Sequence, residues 1–197
     1  MADHADRSGT ETAAGDVAGI IVAAGSGSRA GMGTPKQYAS YGRTTVLGHA
    51  VERFRSAITG PILVVIPGGD EGQARSAIGD CDGVSFVTGG ATRQESVRAG
   101  LERLASAPCP PGIVLIHDAA RPDLPREVAE RLIAALRDIP GAIPVLPVVD
   151  SMVEASGNIM AAPARRENLR RVQTPQAFRF ADILAAHRDW QGDPIAG

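Results

Sequence analysis

Residues 23–38 (AAGSGSRAGMGTPKQY) gather four glycines, two serines, Arg29 and Lys36 in one stretch. Glycines let a backbone turn its N–H groups toward an anion and let a phosphate approach with no Cβ in the way. Arg29 and Lys36 add charge where a polyphosphate would repel itself. Lys36 is the only lysine among 20 basic residues; every other one is arginine. A lysine kept merely for solubility has no reason to differ from the rest. A compact ammonium set against a phosphate is a task that a planar guanidinium performs poorly.

Two familiar phosphate loops fit this stretch badly. Gly25, Gly27 and Ala30 formally match G-x-G-x-x-G/A, but Gly31, Gly33 and Pro35 keep the chain irregular where that fingerprint needs a helix. The ribose-binding acid should follow about 20 residues on, yet the first acid after the second strand is Asp70. The P-loop pattern fails because Lys36 follows Thr34 and Pro35 rather than a glycine.

Three further segments carry polar chemistry. Residues 88–96 (TGGATRQES) place two glycines ahead of Ser96 at a helix start, where backbone groups could read a base edge or simply cap the helix. Residues 117–122 (HDAARP) put Asp118 within reach of a ribose or a metal-bound water. His117 reads as a packed or capping histidine, and Arg121 as a structural or phosphate-binding group. Arg165, Arg166, Arg170 and Arg171 read as an exposed helix face with one guanidinium free to meet a phosphate.

The elements that must hold these loops alternate between short apolar runs and helical periodicity. Strands are expected at 17–23, 62–66, 84–88, 113–116 and 142–149. Helices are expected at 45–57, 70–78, 93–105, 125–137 and 180–187. Non-alternating, β-branched strands between helices imply a mostly parallel sheet covered on both faces. Right-handed crossovers then give a doubly wound α/β fold, with its ligand crevice at the carboxyl ends of the strands. Residues 151–163 break the pattern. Two apolar pieces around Ser156, Gly157 and Asn158 read as a protruding β-hairpin arm.

Composition narrows the classes. A formal charge of −2 supplies no basic field for nucleic acid or a membrane surface. No apolar run approaches the roughly 18 residues a membrane span needs. Cys81 and Cys109 have no metal-ligand spacing and read as reduced thiols of a cytoplasmic protein. Residues 1–16 are polar without an apolar stretch and read as a disordered tail ahead of one domain over 17–197.

Taken together and in this order, AAGSGSRAGMGTPKQY, TGGATRQESVRAGL, IHDAARP, the step at Asp150, Ser151 and Met152, and QTPQAF at 173–178 resemble the 2-C-methyl-D-erythritol 4-phosphate cytidylyltransferase family. The resemblance runs from about Val17 to His187. It implies a Rossmann-like nucleotidyltransferase that joins CTP to methylerythritol phosphate with Mg²⁺, releasing diphosphate, in non-mevalonate isoprenoid synthesis. It implies that Ala23, Ala24, Gly25 and Gly27 wrap the CTP phosphates, and that Arg29 and Lys36 are the catalytic cations. Gly90 and Ser96 would meet the cytosine, and Asp118 and Ala119 the ribose and metal region. Ser151 and Arg166 would contact the polyol phosphate from the arm of a partner subunit, so a homodimer through residues 150–166 is implied.

The resemblance has departures and neighbours. Ala91 stands where some relatives carry an aspartate near the base. Relatives continue past Gly197 with a segment that holds an acidic residue, a lysine and a closing strand, so a C-terminally truncated enzyme is expected. Some relatives fuse this domain to the cyclodiphosphate synthase of the pathway. A ribitol 5-phosphate cytidylyltransferase shares most of these motifs. A non-catalytic nucleotide-binding fragment and an NAD-dependent oxidoreductase are the alternatives from other classes.

Overall fold

Residues 16–25 and 35–192 are described by a computed structural model of the chain. The first strand, β1, is Val17–Val22, and its alternate side chains enter two different cores. After it, Lys36–Tyr38 forms one 3-10 turn, and Ser40–Tyr41 (β2) pairs with Thr44–Thr45 (β3). Helix α1, Val46–Ala57, starts where Thr45 Oγ1 accepts the Gly48 N–H at 2.9 Å. Phe54 of α1 packs closely on β1 because position 19 is glycine; a Cβ there would sit 2.6 Å from the Phe54 ring.

Strand β4 (Ile62–Ile66), helix α2 (Glu71–Ile78), strand β5 (Val84–Thr88), helix α3 (Arg93–Ala105), strand β6 (Ile113–Asp118) and helix α4 (Arg126–Ala135) follow in strict alternation. The chain then makes short strands β7 (Gly141–Ala142) and β8 (Val145–Pro147), the hairpin β9 (Val153–Ser156) and β10 (Ile159–Pro163), and β11 (Arg170–Val172). Strand β12 (Gln176–Arg179) and helix α5 (Phe180–Asp189) complete the described chain.

The sheet order is β5-β4-β1-β6-β12-β7. The four strands β5, β4, β1 and β6 are parallel, and β12 runs antiparallel between β6 and β7. Ile21, Val64 and Leu115 meet α1, α2 and α4 on one face; Ile20, Leu63, Val65, Val114 and Ile116 meet α3 and α5 on the other. This is the doubly wound, mostly parallel α/β sheet expected from the alternation. The chain steps outward from β1 to β4 and β5, then returns to place β6 on the other side of β1. That reversal opens a crevice at the carboxyl end of β1.

Several expectations need correction. The strand expected at 142–149 is two pieces: only β7 belongs to the main sheet, while β8 pairs with β11. Pro144 and Pro147 lack the N–H groups that a continuous ladder requires. The sheet also contains β12, four residues whose pattern is too short to read as a strand in the sequence. Strand β6 continues through His117 and Asp118, which pair with Ile21 and Val22. The arginines at 165–171 share no helix face: Arg166 opens a 3-10 turn, while Arg170 and Arg171 lie in β11.

The rest of the tail expectation lies outside the described residues, except Asp16. Its carboxylate and backbone oxygens both accept the Gly112 N–H at 2.9 Å, so Asp16 belongs to the fold rather than to a tail. The arm is the expected hairpin. Gly157, with φ +60°, takes the turn position that glycine favours. Its apolar residues Val153, Ile159 and Met160 have no core beneath them and are more than half exposed.

Candidate active site

A crevice of about 580 Å³ lies where three loops leave the sheet. Val22–Gly25 forms its floor, Gly90–Arg93 one wall and Asp118–Ala120 another, with Lys36 and Gln37 closing the side toward α1 and α2. Ala23, Ala24, Gly25, Lys36, Gly90, Ser96, Asp118 and Ala119, singled out from the sequence, all line this one space. Gly27 and Arg29 lie outside the described residues.

Each wall has a local cause. The 3-10 turn is held by its two following side chains rather than by Lys36 itself. Tyr38 is buried, and its hydroxyl donates to Asp70 Oδ2 at 3.2 Å. Burial, reinforced by the Asp70 charge, pushes the Tyr38 pKa up to about 12, so the phenol stays a neutral donor. Gln37 is also buried, and its amide nitrogen has no hydrogen-bond partner among the described residues. Lys36 is thus left exposed at the lip of the crevice.

The wall from β5 is glycine by necessity. A Cβ on Gly89 would lie 2.6 Å from Ala24 Cβ and 2.7 Å from Ser96 Oγ, and one on Gly90 would collide with Glu95. Ser96 is 2% exposed; its hydroxyl accepts the Gly90 N–H at 3.2 Å and fixes that loop. Thr92 and Glu95 complete a reciprocal capping box, at 3.1 Å and 2.9 Å, which pins the start of α3.

At the end of β6, Arg93 Nε donates to Asp118 Oδ1 at 2.9 Å, and Arg121 Nε stands 3.9 Å from Oδ2. A polar chain lies behind. The Asp118 N–H donates to Thr174 Oγ1 at 3.3 Å, which donates to His117 Nδ1 at 2.9 Å, and His117 Nε2 donates to the Arg121 carbonyl at 2.8 Å. This assigns the proton of the neutral ring to Nε2. His117 is 1% exposed with its ring tilted against Phe54 at 5.2 Å between centroids, and burial depresses its pKa to about 4. It is the packed histidine the sequence suggested. Arg121 also donates to Gln173, so QTPQ straps this segment to the sheet.

The sequence reading assigned no role to Arg93, Gln37 or Thr174. All three lie within the loop segments at 23–38, 88–96 and 173–178, and that placement is the signal the sequence carries for them. Ser151 and Arg166 do not reach the crevice within one chain. Ser151 is exposed at the foot of the arm, and Arg166 lines a separate hollow of about 530 Å³ with Pro147, Val149 and Arg170. The Arg166 Nη1 donates to the Val149 carbonyl at 2.9 Å.

The described lining residues include two cations, Lys36 and Arg93, one carboxylate, Asp118, and no histidine or cysteine. Ser96 Oγ is committed to the loop. Such a site can bind an anionic ligand and neutralise charge, while the nucleophile must come from a substrate. Among the described residues no three His, Cys, Asp or Glu side chains cluster to hold a metal. Asp118 is the one carboxylate oxygen donor that the described lining offers a hard divalent cation, so its other ligands would have to come from a substrate and water.

Comparison with known proteins agrees with this geometry. The family model described as IspD: 2-C-methyl-D-erythritol 4-phosphate cytidylyltransferase matches residues 17–195. A bifunctional enzyme IspD/IspF from Erythrobacter litoralis is 57% identical over 180 residues, covering 91% of this chain and 46% of that protein. The chain therefore spans about half the length of such relatives. A 2-C-methyl-D-erythritol 4-phosphate cytidylyltransferase from Cereibacter sphaeroides is 45% identical, covering 89% of this chain and 78% of that one. The crystal structure of the Thermus thermophilus protein of the same name superposes with a TM-score of 0.67 at 34% identity, covering 86% and 73% of the two chains. With the fold, the crevice and these matches in agreement, the chain belongs to the 2-C-methyl-D-erythritol 4-phosphate cytidylyltransferase family.

Proposed function

We propose that this chain transfers the CMP group of CTP to 2-C-methyl-D-erythritol 4-phosphate and releases diphosphate, as a step of isoprenoid precursor synthesis. The observation that carries this reading is the convergence of three βα loops and the sole lysine on one crevice at the sheet's switch point. The substrate's own phosphate oxygen attacks the α-phosphorus, the bond to the β-phosphate oxygen breaks, and diphosphate leaves. No side chain needs to act as a base, which fits a crevice with no free histidine or thiol among its described residues.

Ala23, Ala24 and Gly25 offer backbone to the triphosphate, and Lys36 neutralises charge that builds at the α-phosphate. Gly27 and Arg29 complete this role by resemblance. Gly90, presented by Ser96, faces the base, and Asp118 and Ala119 face the ribose. Asp118 is the described residue that would help hold a Mg²⁺ ion, which would supply further neutralisation of phosphate charge.

Ser151 and Arg166 take the polyol phosphate across a homodimer. The exposed apolar arm supports this, because an isolated two-stranded hairpin is marginal in water and gains stability by packing. Relatives named bifunctional IspD/IspF support the expected fusion or association with the cyclodiphosphate synthase. No helix among the described residues is long and apolar enough to cross a membrane. A family that works on small water-soluble phosphates supports a cytoplasmic location.

The test is turnover of the purified chain with CTP and a panel of polyol phosphates, read as released diphosphate. Methylerythritol phosphate should be used best. Preference for ribitol 5-phosphate would move the chain to the alternative substrate, and failure to bind any nucleotide would overturn the reading.

A further inference from the structure

Arg93 occupies the first position of α3, where unpaired helix N–H groups already concentrate positive charge. A cation there opposes the helix dipole, so its contact with Asp118 is the compensation. The Thr92–Glu95 capping box fixes the backbone from which the guanidinium projects. On the far side, pairing with Val22 and the bond to Thr174 fix the backbone of Asp118. Between two fixed backbones, Arg93 Nε holds Oδ1 at 2.9 Å. Oδ2 is left with Arg121 at 3.9 Å, beyond hydrogen-bonding distance, and no other partner among the described residues. Both side chains are about one-third exposed and line the crevice, so the pair is neither buried nor merely a surface contact.

We propose that Arg93 is a positioning residue that sets selectivity for the sugar of the nucleotide: by holding Oδ1 of Asp118 it presents Oδ2 as the acceptor for a ribose hydroxyl. This rests on the nucleotide reading of the crevice. A carboxylate oxygen is an acceptor only, which suits a sugar hydroxyl and repels a phosphate. A site built to bond a hydroxyl rejects the analogue that lacks it, because its own polar group is left unpaired. An Asp118 freed from Arg93 can rotate, and the aim of the acceptor is lost.

The test is calorimetric measurement of Kd for CTP, 2′-deoxy-CTP and 3′-deoxy-CTP, with Mg²⁺ throughout, in the wild-type chain, Arg93→Gln, Arg93→Lys, Asp118→Asn and the double variant Arg93→Gln/Asp118→Asn. The wild-type chain should favour CTP over at least one deoxy analogue by roughly tenfold. Arg93→Gln should bring that ratio close to one by weakening CTP while sparing the analogue. Arg93→Lys, which keeps the charge but not the fixed Nε–H, should fall between. Asp118→Asn should abolish the ratio, and adding Arg93→Gln to it should change the ratio no further. Equal weakening of all three nucleotides in Arg93→Gln, or a wild-type ratio in both Arg93 variants, overturns the proposal, since that marks a structural or phosphate-binding arginine. Failure of the wild-type chain to bind CTP at all instead refutes the nucleotide reading beneath it.

Discussion

Acidification should loosen the end of β6 through His117, and the size of the effect follows from its burial. The ring is neutral in the fold with a pKa of about 4, against 6.5 for a free histidine. Burial is the leading cause; the bond to the Arg121 carbonyl and the Asp118 charge act the other way. Below pH 6.5 the unfolded chain takes up a proton that the folded chain refuses, so stability is full above pH 6.5 and is lost as pH falls toward 4. The difference of 6.5 − 4 = 2.5 units corresponds to about 3 kcal/mol at 1.36 kcal/mol per unit. Against a total stability of roughly 5–15 kcal/mol this is a large fraction.

The assay is urea unfolding at intervals from pH 7 to pH 4.5, for the wild-type chain and for His117→Gln. The glutamine keeps a donor for the Arg121 carbonyl but does not titrate, and should cost about 1–2 kcal/mol at pH 7. Carboxylates lose protonation-linked stability in the same range, so the informative quantity is the difference between the two proteins. That difference should shrink as the pH drops below 6.5 and reverse sign near pH 4.5, since the wild-type loss by then exceeds the cost of the substitution. A constant difference from pH 7 to pH 4.5 would refute a buried neutral His117. Nucleotide affinity of the folded wild-type chain should not follow this curve, because its ring stays neutral until the pH approaches 4; protonation there would break the bond from Thr174 that is shared with the Asp118 N–H.

Lys36→Ala should cut turnover by roughly 10²- to 10³-fold, a barrier increase of about 3–4 kcal/mol, and Lys36→Arg should recover little, as measured by diphosphate release. Near-normal activity in Lys36→Ala removes it from the chemistry. Gly90→Ala should weaken CTP binding at least tenfold, since the added Cβ collides with Glu95 and shifts the loop, while the circular dichroism of the sheet stays unchanged. Arg166→Ala should raise KM for the polyol phosphate far more than for CTP. Mixing Arg166→Ala with Lys36→Ala subunits should restore some activity, because one crevice of the heterodimer then has both residues. A strictly monomeric, fully active protein by sedimentation would exclude the shared site.

Much of this protein was legible in its residues taken in order. The bounds of β4, β5 and α3 follow from local pattern, because a continuous β-branched run or an amphipathic stripe with a capping box needs no distant partner to be recognised. The crevice lining was legible for a similar reason: glycine next to a strand end and a lone lysine are local departures from composition, and a doubly wound sheet must gather such loops at one edge. What only the tertiary structure decided depends on contacts between residues far apart in the chain. β12 is a strand because β6 and β7 flank it, not because four residues demand it. The 142–149 run looks like one strand until its prolines meet a ladder that wants their missing N–H groups. Arg93 and Asp118 are 25 residues apart, and nothing in either segment announces the pair. Likewise His117 is neutral because the closed fold buries it against Phe54, which lies 63 positions away in the chain. Periodicity is a property of neighbours in sequence, whereas burial, register and ion pairing are properties of neighbours in space, and those exist only once the sheet has closed.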